Sequence, residues 1–106
     1  MNEFIPSEFF LSQNYPNPFK EKTIIKYCVA DKTRVRITVF DHDGELIEKL
    51  VDEEKLPGTY EVEFSVYLSR ENRNLPAGRQ GPQEGTYSYR LVAGNYLSEK
   101  KMQLLI

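Results

Sequence analysis

Asp41-His42-Asp43-Gly44-Glu45 sets the chain's single histidine between two carboxylates, so it invites a metal test. A calcium loop of the EF-hand type needs glycine at its sixth position and a bidentate glutamate at its twelfth. Counted from Asp41, those positions hold Leu46 and Asp52, and the pattern fails. Asp41 first and Gly44 fourth instead fit a type I turn closed by a left-handed glycine. Nucleophilic chemistry finds no better footing. Cys28 lies in an apolar run, where a thiol packs as a small core or sheet residue. No serine occupies a Gly-x-Ser-x-Gly elbow. Glu61 and Glu63, two apart on an alternating segment, have the spacing of a solvated sheet face. Gly78-Arg79-Gln80-Gly81 lacks the Lys-Ser/Thr ending of a phosphate loop. The inventory points away from an enzyme and calls for no metal or cofactor.

The elements that must position these residues belong to one domain. The chain has 106 residues, enough to hide roughly two-thirds of its unfolded surface in a single core. A net charge of −2 gives no electrostatic footprint for nucleic acid. With one cysteine there is no internal disulfide, so packing alone must hold the fold. Seven tyrosines and six phenylalanines without tryptophan suit strands better than helices. No apolar run approaches the ~18 residues of a membrane span, and no membrane insertion is expected. Met1-Asn2-Glu3-Phe4-Ile5-Pro6 lacks the basic and apolar regions of a signal peptide. If the natural protein is exported, this chain is expected to be a piece of it.

Residues 1–8 read as a lead-in or linker, with Phe4, Phe9 and Phe10 available to cover a sheet edge and a short strand within 8–12. Pro16 and Pro18 remove two backbone donors and exclude helix, leaving an extended crossing anchored by Tyr15 and Phe19. Thr23–Ala30 is β-rich, with Ile25, Tyr27 and Val29 inward. Arg34–Phe40 alternates, placing Val35, Ile37 and Val39 inside. Glu45–Val51 returns as its partner; the spacing could be read as helical, but seven residues make a poor isolated helix. Residues 52–58 read as a polar loop. Thr59–Ser65 alternates again, with Tyr60, Val62 and Phe64 inward. Residues 67–84 are too polar to offset the entropy of ordering them and read as a flexible insertion.

Gly85 to Ile106 forms one hairpin around the two-residue connection Gly94-Asn95, which tolerates positive φ. With Ala93 opposite Tyr96, Tyr87 faces Met102 and Arg90 faces Glu99. Tyr87, Tyr89, Leu91, Met102 and Leu104 then share one face; Ser88, Arg90, Glu99 and Lys101 share the other. The chain is thus expected to close on a strand that carries its own core. Short strands punctuated by Gly, Pro and Asp predict an all-β fold, an immunoglobulin-like antiparallel β-sandwich of about seven strands. The last strand, as a sheet edge, invites recognition by strand addition, and edge pairing or swapping into a homodimer is a further expectation.

The run Leu11-Ser12-Gln13-Asn14-Tyr15-Pro16-Asn17-Pro18-Phe19 followed by Thr23-Ile24-Ile25-Lys26-Tyr27 resembles the start of the C-terminal sorting domains of the type IX secretion system. Val39-Phe40-Asp41 with Gly44-Glu45 is similar to that family's strand–turn motif, and Gly58-Thr59-Tyr60 to its mid-domain Gly-x-Tyr. Gly85-Thr86-Tyr87-Ser88-Tyr89-Arg90-Leu91 and Lys100-Lys101-Met102 resemble its closing strands. The resemblance spans residues 9–106. It departs at Arg79–Glu84, inserted after Leu75-Pro76-Ala77-Gly78, and at Lys20-Glu21, where the family often continues Asn-Pro.

The resemblance implies a seven-stranded sandwich at the end of an exported cargo protein of a Gram-negative bacterium. Such a domain crosses the periplasm with its cargo and is recognised by the outer-membrane secretion machinery. A surface peptidase then removes it. Gly85, Tyr87, Lys100, Lys101, Met102, Leu104 and Ile106 are the recognition residues so implied; Tyr15, Pro16, Pro18, Phe19, Asp41, Gly44, Gly58, Tyr60, Gly94 and Asn95 carry the motifs that shape the fold. The alternative is a permanent structural or adhesive spacer, as in the related immunoglobulin-like domain of the flagellar hook-capping protein.

Overall fold

The computed structural model describes residues 6–66 and 84–105. Seven strands follow in order: β1 (Phe10–Leu11), β2 (Lys22–Val29), β3 (Thr33–Phe40), β4 (Leu46–Lys55), β5 (Gly58–Ser65), β6 (Gly85–Ala93) and β7 (Tyr96–Leu104). They form a three-stranded sheet ordered β1-β2-β5 and a four-stranded sheet ordered β4-β3-β6-β7, with every pairing antiparallel. The protein is a β-sandwich. The insertion expected at 67–84 lies, apart from Glu84, outside the described residues, as do Phe4 and Ile106.

Alternation dictates the two layers. In β2 and β3 the odd residues Ile25, Tyr27, Val29, Val35, Ile37 and Val39 are buried, and Leu91 and Leu104 meet them from the hairpin. The even residues carry the charge, as in the cross-strand pairs Lys26–Glu61 at 3.7 Å and Lys22–Glu63 at 3.6 Å. Glu61 and Glu63 thus lie on a solvated sheet face with lysine partners. Such exposed pairs contribute about 0.2–1 kcal/mol each, so the apolar layer holds the sheets together. Cys28 is a sheet residue on the outer side, half-buried, with its Sγ 3.8 Å from the Thr59 hydroxyl.

Three expectations are corrected here. Residues 52–58 are not a loop: β4 runs on to Lys55, and the chain turns at Leu56-Pro57. The acidic run Asp52-Glu53-Glu54 is accommodated because β4 is a sheet edge that pairs with β3 alone, where charge also deters pairing with other chains. Tyr15 is not an anchor. Its ring is 79% exposed, and only its backbone is engaged, in two 2.9 Å bonds with Ile24. Phe10 does not cover an edge either, being 53% exposed, whereas Phe9 stacks on Tyr96 at 5.6 Å. Tyr60 and Val62 face the core only from its margin, half-buried.

Turns follow their chemistry. Asp41 Oδ1 accepts the N–H groups of Asp43 and Glu45, both at 2.9 Å, and Gly44 takes φ +85°. That carboxylate is committed to the turn. At the hairpin only Gly94 has positive φ, +61°, and Asn95 does not, the arrangement of a II′ connection.

Candidate recognition edge

Positioning begins with the hairpin register. Tyr87 pairs with Met102, Arg90 with Glu99 and Ala93 with Tyr96, as the sequence pattern requires. Met102 is 2% exposed and Leu104 fully buried, so the last strand does carry core residues. Tyr87 is buried beside them, and Gly85 opens β6 opposite Leu104. Of the two lysines, Lys101 is exposed on the outer face. Lys100 lies on the inward-facing side opposite Tyr89 and is half-buried. Arg90 contacts Glu99 at 3.2 Å and lies 5.0 Å over the Phe40 ring, which fixes the outer face at mid-strand.

β7 is the edge of its sheet, yet much of its rim is already taken. Because Ala93 and Tyr96 close the turn, main-chain groups of even residues face β6 and those of Leu97, Glu99, Lys101, Gln103 and Leu105 face outward. Residues 13–19 run along that rim as a strap. Gln13 Nε2 donates to the Lys101 carbonyl at 2.6 Å, and the Gln103 N–H donates to Asn17 Oδ1 at 2.9 Å. Phe19 N–H donates to the Gln103 carbonyl at 2.9 Å, and the Leu105 N–H to the Phe19 carbonyl at 2.8 Å. Strand addition along the whole of β7 is therefore closed. Among the described residues, Leu97 and Glu99 keep their outward main-chain groups unpaired, and the Leu97 side chain is 63% exposed beside them.

The strap is held from beneath. Phe19 is 1% exposed and meets Phe64 edge-on at 6.1 Å. Asn14, 2% exposed, donates to Thr23 Oγ1 at 3.0 Å and the Pro16 carbonyl at 3.1 Å, and Thr23 donates to that same carbonyl at 2.9 Å. Tyr15-Pro16 and Asn17-Pro18 are both cis. From the second sheet, Tyr89 donates its hydroxyl to the Ser12 carbonyl at 2.6 Å. Burial pushes the Tyr89 phenol up to about 12, a backbone contact with Asn14 offsetting part of the rise.

Sequence reasoning found Phe19 and the prolines but missed Gln13, Asn14 and Asn17. A signal existed: asparagines around two prolines are the residues that satisfy backbone groups in turns. What the sequence could not convey is that the partners of Asn17 and Gln13 lie 86 and 88 positions away. Lys101, Met102 and Leu104 come together with Gly85 and Tyr87 at this edge. Gly44, Gly58 and Tyr60 do not; they shape turns and strands elsewhere.

The fold matches a solved one. Over 88% of its length the chain superposes on the crystal structure of dimeric latent PorU from Porphyromonas gingivalis, with a TM-score of 0.60 and 16% identity. The match spans 9% of the PorU chain, and at that identity the likeness is one of fold. No protein-family model and no curated protein matches the sequence.

Proposed function

We propose that this chain is a sorting domain of the type IX secretion system, a folded address that directs an attached cargo to the cell surface and is removed on or after export. One observation carries the reading. The two motif runs that resemble the family's opening and closing, Leu11–Phe19 and Lys100–Met102 with its flanks, meet as a strap on a strand. The resemblance thus falls on residues that build one surface. The shape match to PorU supports the sandwich fold that this reading requires. The domain acts by being bound, with no chemistry of its own. Its partners are the covalently attached cargo, the outer-membrane machinery and the surface peptidase. Recognition of the folded edge uses the Leu97–Lys101 rim and its exposed lysine.

The test fuses the whole chain behind a periplasm-directed reporter in a bacterium that has this system. The reporter is expected at the surface or in the medium, shortened by the domain, and to stay inside when the machinery is deleted. Lys101→Glu, which leaves core and strap untouched, is expected to reduce export. A reporter that stays in the periplasm of the intact strain refutes the proposal. Such a result would favour a permanent spacer, a reading that draws on the match to a small part of a much longer chain.

A further inference from the structure

On the outer face of the four-stranded sheet, far from the strapped rim, Arg34 and Arg36 point the same way by strand alternation. Both converge on Asp52. Arg34 Nε donates to Asp52 Oδ1 at 2.8 Å and its Nη2 to the Asp52 main-chain oxygen at 3.3 Å. Arg36 Nε is 3.4 Å from the same Oδ1, and Lys49 Nζ is 3.3 Å from Oδ2. One carboxylate thus gathers three cations. Glu54 stands across from Arg34 in the β3–β4 register but is not among its ion-pair partners. The hydrogen bond from Arg34, then that from Lys49, holds the Asp52 carboxyl below its ordinary range, and the ionised carboxylate keeps the guanidinium groups together.

Beside this cluster lies a cleft of about 190 Å³ bounded by Thr33, Arg34, Arg36, Val92 and Gly94. We propose that this cleft binds a phosphate or sulfate monoester. The arginines contact Asp52 mainly through Nε, which leaves the Arg36 Nη groups without an acceptor among the described residues. Guanidinium forks match tetrahedral oxyanions geometrically as well as by charge. Thr33 and Gly94 complete the lining, and Gly94 adds no side chain to it. The cleft has room for more than a bare oxyanion. Val92 therefore offers an apolar floor to the carbon that bears the ester.

The test is an amide NMR titration of the whole chain with inorganic phosphate and, separately, glucose 6-phosphate, at ionic strength held constant with sodium chloride. Saturable shifts are expected at Thr33–Arg36 and Val92–Gly94, with the ester at least tenfold tighter than the free anion. Equal affinity for both would overturn the ester assignment. Arg36→Gln and Arg34→Gln should each weaken binding at least tenfold. Both side chains are more than half exposed, so the variants should keep the parent's dispersed spectrum. Undiminished affinity in both variants, shifts scattered over remote lysines such as Lys22 and Lys26, or no saturation would overturn the proposal.

Discussion

Phe19→Ala separates a strap held by its buried ring from one held by its hydrogen bonds. Phe19 is 1% exposed, its ring set edge-on to Phe64. Truncating a phenylalanine so enclosed costs about 3–5 kcal/mol, the transfer loss plus the cavity left behind. Unfolding entropy of about 2.1 cal/mol/K per residue gives roughly 0.22 kcal/mol/K for a chain of 106 residues. The loss therefore converts to a fall of about 13–22 °C in Tm. Asn17→Ala removes only the acceptor of the Gln103 N–H, at an exposed site, and should cost about 1 kcal/mol or about 4–5 °C. Circular dichroism melts of the whole chain measure both. Amide hydrogen exchange adds the local readout, because the Gln103 and Leu105 N–H groups both end on the strap. Their protection should collapse in Phe19→Ala beyond the global change. A shift under about 4 °C with both amides still protected would mean that Phe19 does not anchor the strap.

Met102→Ala should cost about 2–5 kcal/mol in urea unfolding, because its side chain is 2% exposed, while the neighbouring Lys101→Ala should stay within about 0.5 kcal/mol. Equal effects would mean that the last strand lacks the register described. Tyr89 governs alkaline stability: its pKa is about 12 when folded against 10.0 for the free side chain. The folded state therefore holds the proton more tightly, and this stabilisation is complete below pH 10 and lost as pH rises towards 12. Two units correspond to about 2–3 kcal/mol. Melts between pH 9 and 12 should fall more steeply for the parent than for Tyr89→Phe, and parallel curves would refute the assignment.

Strands with strict alternation were legible from sequence, because period-two burial determines which residues face inward. The 85–105 hairpin came out in register for that reason: one Gly-Asn connection and one buried face leave no second solution. β4 was only half legible, and its bulges explain why. Ile37 pairs with Val51 but Thr38 with Lys49, and Val39 pairs with Glu48 but Phe40 with Leu46. Leu50 and Ile47 are thus extra residues, and with Val51 they pack against the core. Two bulges make a strand mimic helical spacing while leaving it extended. The strap was illegible for a different reason. Its bonds are single side chains meeting a distant strand, with no period to betray them.

How the domain can be read by a partner follows from the energetics of its last strand. Extracting β7 would expose Met102 and Leu104, which lie at 2% and 0% exposure. It would also break the four strap bonds along its rim. The two side chains alone represent about 4–10 kcal/mol by the cost of truncating such residues, against about 5–15 kcal/mol for a whole domain of this kind. A partner that peels the strand away must therefore replace most of the stability of the fold. Binding at the rim costs far less. Leu97 and Glu99 already hold their main-chain groups outward and unpaired, and an added strand there leaves every buried side chain in place. On the proposed reading, the address is therefore read folded, over the short stretch that the strap leaves open.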